Sequence, residues 1–484
     1  MEKNQQQISN LITSGVIQSL VFTSDPQYPW TDCTEGPPFT ACSLRNNLSP
    51  CINVRGEDRE TRRRRSEAVI LEQYDNINDY TEDIASGNRN RSAAVFINGD
   101  VTEFGHNQLG HPEFQWNTMN RLFNRLIRPY YFGLGNHDIE NNKDRCHLDW
   151  CFRDSIGELV NHVRRRNNIP DSQFDCRTST VGSGINAGPA HEGSFSYTMD
   201  FGRICSIQLN NYAGMHARSQ GNRWLINMRE NIPWLRAQLT RARNEGKIII
   251  INVHQTRNMI PTYRDLFQEF GVVAIFAGHH HTTVGGSGSV GNIPVFLSGS
   301  AMYRTYLILE QFQDRLEIFA VRCNDWRGNR QRVATIPIEP RRIQGIFQIV
   351  TALNNSSVLD LNGPNNVTLY SNNGGNHQRW NFTYDQSRNA YVIRNVSNQN
   401  LVLAWDISSQ NRNVFAMPFN SGLNQQYWIL EPFQNGYAFR NFHNPNLVLD
   451  VYKGGTANRT NVTVFYRQPA GSTHRNQTFL LRRV

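Results

Sequence analysis

Lysine is almost missing from this 484-residue chain: Lys3, Lys143, Lys247 and Lys453 are its four, and arginine supplies the rest of 49 basic residues. Arginine keeps its charge in any setting and forks onto phosphate, while lysine is the site of ubiquitination. The bias reflects either the composition of the source or selection for survival in a host cytosol, and the first is the commoner cause. Long apolar runs are absent too. None approaches the roughly 20 residues of a membrane-spanning helix, and residues 1–19 hold no apolar stretch of signal-peptide length. The short run Val16 to Phe22 is expected to be a strand and not a leader, since cleavage behind it would come close to removing Asp25. Cysteine stops at Cys323, and among the eight no pair has the C-x2-C spacing of a zinc site. Cys33, Cys42 and Cys51 share one Pro/Gly/Asn-rich loop, and Cys146, Cys151 and Cys176 another irregular stretch. Disulfides across long loops are therefore expected, in an oxidising, secreted setting whose export route is open. Cys205 and Cys323 fall in expected strands and read as small buried hydrophobes.

What is present is ordinary in bulk and specific in pattern. A hydrophobic fraction of 38% and a charged fraction of 18% fit a globular protein, and the length calls for two domains. The net charge of +9 suits an acidic partner such as a phosphate ester, nucleic acid or anionic surface. The informative stretch is Tyr130 to Asp138, where an apolar run stops at Gly135-Asn136-His137-Asp138. Four other runs stop the same way, at Asp25-Pro26-Gln27, at Gly99-Asp100, at His254 and at Gly278-His279-His280-His281. Buried strands that end in Asp, Asn, Gln or His deliver oxygen and imidazole donors to one sheet edge, which a site for divalent metals needs.

Between these strands the apolar spacing predicts helices over Glu57 to Ile84, His111 to Ile127, Asp154 to Arg166, around Trp234 to Ala242 and over Arg264 to Phe270. The alternation predicts α/β layers on a largely parallel sheet, with antiparallel pairs near Phe195 to Leu209 and Tyr306 to Val321 closing a second sheet. The stretch up to Glu192 reads as Gly/Ser/Asn-rich loop. Arg62 to Arg65 reads as a solvated face. Near Pro340 the texture changes to all-β. Gln378-Arg379-Trp380, Gln426-Tyr427-Trp428 and Gln477-Thr478-Phe479 recur at spacings of 48 and 51 residues. Three such units share one core where one alone could not.

Taken together the five strand ends resemble the calcineurin-like metallophosphoesterases, over about residues 15 to 325 within a domain of 1–338. The resemblance implies an α/β/β/α four-layer sandwich holding two divalent metal ions, with Mn, Fe or Zn as the candidates. Carried over, Asp25, Gln27, Asp100 and His281 would hold one metal, and Asp100, Asn136, His254 and His279 the other, with Asp100 as the bridge. Two such cations lower the pKa of a shared water and clamp a phosphoryl group for in-line attack. His137 would be the general acid and Asp138 its orienting partner. Gln27 departs from the commoner His, which implies a weaker, neutral ligand. Glu103 and His106 are candidates for substrate contact. His280 is expected to face away from the ligands on either side of it, and His111, His147, His162 and His191 to lie on the surface or in loops.

Residues 342–484 resemble a ricin-type β-trefoil lectin. There Trp380, Trp428 and Phe479 would fill the shared core. Asp450, Tyr466, Asn476 and Gln477 match the sugar-binding positions of the third unit. The first keeps Asp360, Tyr370 and Gln378 with His377 in place of Asn, and the second has Ala404 and Met417 and is expected to be silent. Galactose or N-acetylgalactosamine is the implied glycan. The combined reading is a phosphate mono- or diester hydrolase brought to glycosylated surfaces, in keeping with a secreted bacterial toxin or virulence factor. The alternatives are a lectin with a non-catalytic phosphoesterase scaffold, or a metal-dependent nuclease. Against nucleic acid, the chain has no basic groove interleaved with aromatics.

Overall fold

The computed structural model describes residues 15–30, 58–86, 92–107, 114–257, 259, 261–338, 343–385, 387–434, 436–468 and 475–484. Cys33, Cys42, Cys51, the loop around them, His111 and the first 14 residues lie outside these. The chain divides into two compact units, Met1–Glu339 and Pro340–Val484.

In the first unit there are two six-stranded sheets, as the antiparallel pairs predicted, but both are mixed where a largely parallel arrangement was expected. One runs in the order Arg330–Pro337, Arg315–Val321, Tyr306–Gln311, Gln18–Thr23, Ser92–Asn98, Tyr130–Gly133. Its last three strands are parallel and the others antiparallel. The other runs Val284–Val290, Ile293–Ser298, Val272–Ala277, Ile248–Val253, Ile204–Gln208, Tyr197–Phe201, with its inner four strands parallel. β-Branched runs such as Ile248 to Val253 are buried on both faces, as parallel strands require. Phe22 of one sheet stacks on Phe276 of the other at 3.9 Å between ring centres.

Helices supply the remaining cover. Arg59–Ala85 starts at an N-cap, Asp58, whose carboxylate accepts the Thr61 amide at 2.8 Å. Its buried face, Val69, Ile70, Gln73, Tyr74, Ile77, Tyr80 and Ile84, keeps helical spacing. Leu235 and Leu239 of Ile232–Asn244 and Leu266 and Phe267 of Pro261–Glu269 join Ile249, Ile251 and Ile275 in a second apolar cluster. The expected loop before Glu192 instead contributes Arg177–Val181 and Gly188–Gly193 to a four-stranded sheet with Trp224–Met228 and Ala217–Gly221. Arg177–Val181 exposes most of its residues and Gly188–Gly193 is built of Gly, Pro, Ala, His and Glu, so no apolar alternation announced either.

The second unit is a set of hairpins, Val358–Asn362 with Asn366–Tyr370, Leu401–Trp405 with Val414–Pro418, and Leu447–Val451 with Thr460–Tyr466. Each is followed by a single 3-10 turn that carries the repeating glutamine: Asn376–Gln378, Asn424–Gln426 and Arg475–Gln477. Trp380, Trp428 and Phe479 are fully buried in one apolar cluster. No described helix is long and apolar enough to cross a membrane.

Candidate metal centre

The strands Gln18–Thr23, Ser92–Asn98, Tyr130–Gly133, Ile248–Val253 and Val272–Ala277 each release a polar residue just past their C-terminal ends. Parallel pairing within each sheet puts those ends on one edge. Gly278 lets the edges close up, because a Cβ there would sit 2.7 Å from Ser24 and 2.8 Å from the Asn98 carbonyl. His254 then joins the two sheets by donating from Nδ1 to the Asn98 carbonyl at 2.8 Å.

Two groups of donors result, Asp100–His254–His279 and Asp25–Asp100–His281, each with ligand atoms within 4.8 Å of one another. Asp100 belongs to both. His254 Nε2 lies 3.0 Å from Asp100 Oδ2 and 2.9 Å from Asn136 Oδ1. His281 Nε2 lies 3.3 Å from Asp25 Oδ1, while Asp25 Oδ2 accepts the His279 amide at 3.1 Å. With Nδ1 of His254 donating, Nε2 faces two oxygens, an arrangement that either a ring proton or a metal cation completes. The donor set fits divalent metals on a further count. Among the described residues, the buried oxygens Asp25 Oδ1, Gln27 Oε1 and Asp100 Oδ2 accept no well-directed hydrogen bond, the nearby His281 and His254 nitrogens being close but poorly aligned. The electrostatics agree. Burial pushes His254 down, but the Asp100 and Asp25 charges outweigh it and hold the imidazole well above its usual range. Asp100 is held low against its own burial, chiefly by His254.

His137 stands beside this cluster. Its backbone N–H donates to Asp100 Oδ1 at 2.8 Å, Nδ1 meets the Glu103 carbonyl at 3.0 Å, and Nε2 is 3.4 Å from Gln27 Nε2. Gln27 Nε2 also donates to Glu103 Oε2 at 2.7 Å, which turns Oε1 the other way. The fourth residue of the Gly135-Asn136-His137-Asp138 run does something other than orient His137. Asp138 is fully buried, and its carboxylate accepts from Val101 N, Thr102 N, Thr102 Oγ1 and Gly135 N at 2.7–3.0 Å. It ties the Asp100 turn to the Asn136 turn, and Glu103 takes the place beside His137. His106 packs its Nδ1 3.1 Å from Cys151 Sγ. His280 is exposed.

In the second unit, Asp450 Oδ2 accepts from Asn476 Nδ2 and Gln477 Nε2, both at 2.9 Å, and Tyr466, whose carbonyl also accepts from Gln477, is 54% exposed. Asp360 Oδ2 accepts from Gln378 Nε2 at 2.8 Å and lies 3.4 Å from His377 Nε2, with Tyr370 half-buried. The glutamines themselves are fully buried. Gln378, Gln426 and Gln477 each also bind backbone across their own unit, at Ser371 and Asn373, Pro418 and Asn420, and Tyr466 and Gln468. Gln378 and Gln477, expected among the sugar-contacting residues, spend their amides on bonds within their own units.

A family model for the calcineurin-like phosphoesterases matches residues 20–283, more than half of the chain, and one for ricin-type β-trefoil lectin-like domains matches 376–465. The chain belongs to the calcineurin-like phosphoesterase family. Among curated relatives, pierisin of Pieris brassicae is 35% identical over 117 residues, 23% of this chain and 14% of that protein. The main hemagglutinin component type C of a Clostridium botulinum C phage is 31% identical over 105 residues, 22% of this chain and 36% of that protein. The chain thus spans well under half the length of either. A mosquitocidal holotoxin of solved structure aligns with a TM-score of 0.27 at 23% identity, over 41% of this chain and 26% of that one.

Several parts of this phosphoesterase were not read from its sequence. Gln255 Nε2 donates at 2.8 Å to both Asn136 Oδ1 and Asn211 Oδ1, and Asn211 Nδ2 donates at 2.7 Å to Glu140 Oε2, which pairs with Arg257. Its one signal was position, directly after the His254 strand end. His162, placed on the surface, is buried among Tyr130, Phe132 and Tyr131, with its ring 4.2 Å from Phe132. His147 is exposed and His191 half-buried. Cys146 and Cys151 form a disulfide, whereas Cys176 and Cys205 are buried free thiols, so Cys176 leaves the expected disulfide set. Cys323 lies past the end of Arg315–Val321 and is disulfide-bonded, contrary to its reading as a small hydrophobe in a strand.

Proposed function

We propose that the first unit is a binuclear metal-dependent hydrolase of phosphate mono- or diesters, on an α/β/β/α frame, and that the second carries it to glycosylated surfaces as part of a secreted toxin. The observation that carries the catalytic half is the sharing of Asp100 between two donor groups. Asp25, Gln27, Asp100 and His281 would hold one divalent ion, and Asp100, Asn136, His254 and His279 the other. Bound there, the pair of ions activates water and polarises the phosphoryl oxygens. The protein does the rest. Asp100, fixed by the His137 amide, keeps the two donor groups in register. Glu103 holds His137 through Nδ1, so that Nε2 is the atom from which the imidazolium delivers a proton to the leaving oxygen. Gln255 keeps the Asn136 amide oxygen turned inward.

In the second unit, Asp450 with Asn476 and Tyr466, and Asp360 with Tyr370, would supply the carboxylate and the aromatic ring that grip sugar hydroxyls and an apolar sugar face. Galactose-type glycans are the proposed ligands.

Metal content by elemental analysis tests the catalytic half, together with hydrolysis of p-nitrophenyl phosphate and bis-p-nitrophenyl phosphate in Mn²⁺. The wild type should carry two ions and turn over at least one ester, and Asp100→Ala should lose both metal and turnover. Equal metal in the two proteins would sink the assignment.

A further inference from the structure

Among the described residues outside the metal centre, one more cluster has the composition of a metal site. His106 Nδ1, Cys146 Sγ and Cys151 Sγ all lie within 4.8 Å of one another, the histidine 3.1 Å from Cys151. Sequence spacing hides it, since the histidine comes 40 residues before the first cysteine and the two cysteines are five apart. The scaffold holds it firmly. Gln115 Oε1 accepts from the Phe104 and His106 amides at 2.9 and 3.3 Å, and the His106 carbonyl accepts the Gln115 amide at 2.8 Å, which pins the histidine backbone to the helix Gln115–Phe123. Cys151 sits in the first turn of Trp150–Asn161 and is 2% exposed. Joined as a disulfide the sulfurs are poor ligands; as thiolates, two sulfurs and an imidazole are a donor set that zinc takes, with water as the fourth ligand.

We infer that reduction of Cys146–Cys151 converts this cluster into a zinc site. A dithiol reductant of the thioredoxin type supplies two electrons and two protons, the S–S bond opens to two thiols, and the reductant leaves as its own disulfide. Zinc then binds both sulfurs and releases the two thiol protons. The chain would so exchange a covalent staple for a metal staple on passing from an oxidising to a reducing compartment. The site adjoins the candidate metal centre, because Glu103, three residues before His106, carries the contacts to Gln27 and His137.

Co(II) titration of the full chain tests this, since thiolate ligation gives a near-ultraviolet charge-transfer band that oxygen and imidazole ligands do not. After reduction, with opening of the Cys146–Cys151 bond verified by alkylation and mass spectrometry, the wild type should develop the band, saturating with one ion per chain beyond those held by the metal centre, and the oxidised protein should not. The band should vanish in C146S/C151S, weaken in His106→Ala, and persist in C176S/C205S. It should also persist in Asp100→Ala, which makes failure here distinguishable from failure of the phosphoesterase reading. Absence of the band in reduced wild type, folded or not by circular dichroism, overturns the inference, and so does an equal band in C146S/C151S.

Discussion

Asp25, Gln27, Asp100 and His279 have φ of 50°, 41°, 46° and 69°, the left-handed region that side chains other than Gly, Asn and Asp rarely adopt. Each costs on the order of 1–3 kcal/mol, and such strain gathers where a site dictates side-chain direction. The residue types of these four were legible in sequence, because oxygen and nitrogen donors after apolar runs are conspicuous. Their backbone was not, since no letter encodes a dihedral. His162 shows the converse limit: a polar letter that the fold surrounds with aromatic rings. Burial, then Arg166, pushes its imidazole down to about 3. With an ordinary value near 6.5 in the unfolded chain, the unfolded state takes up a proton that the folded state refuses. Stability is thus complete above pH 6.5 and falls as pH drops toward 3, by about 2 kcal/mol at pH 5 from this residue alone. Denaturation of wild type and His162→Phe at fixed excess metal should give curves that diverge below pH 6.5, the variant being flatter. Parallel curves would show that another group governs the acid limb.

Among the elements, the turn after Tyr130–Gly133 does the most. Asn136–Glu140 is a single π turn entered through Gly135, and a Cβ on Gly135 would run into Asp100 Oδ1, Asp100 N and Asp100 Cγ. The glycine is there for the approach of the bridging carboxylate, not for its own φ. Gly135→Ala should push Asp100 aside, and since about 1 Å of misplacement is worth about 10²-fold in rate, turnover of p-nitrophenyl phosphate should fall by about that factor with metal content reduced. Unchanged metal and rate would mean that Asp100 does not sit where the two donor groups require. This strand and its glycine were readable because apolar run, glycine and polar residues follow one another in sequence. The Arg177–Val181 and Gly188–Gly193 strands were not, because neither the exposed RTSTV run nor GPAHEG has an apolar period to detect. The Gln-x-Trp turns were found by repetition, but repetition names a residue without saying which way it faces. Only the bonds from Gln378 to Asp360 and Ser371 show it turned inward.

At the scale of the whole molecule, a phosphoesterase unit and a trefoil share one chain, and the trefoil's proposed glycan sites differ in a way that sets how the chain should bind. The unit with Ala404 lacks the carboxylate, while Asp360 and Asp450 are each 5% exposed and held by amides on one oxygen. Two weak pockets on one module gain little for a free sugar and much for a glycan surface, where the second contact forms at high effective concentration. Asp450→Ala alone should therefore leave half the sites for a soluble galactoside by calorimetry, yet weaken retention on a dense galactosylated surface by about 10²-fold or more. D360A/D450A should abolish both while hydrolysis of p-nitrophenyl phosphate stays at the wild-type rate, because neither residue belongs to the catalytic unit. Surface binding that survives the double variant would place glycan recognition outside these pockets, and a fall of the same size in soluble and surface binding on losing Asp450 would mean that a single pocket carries the affinity.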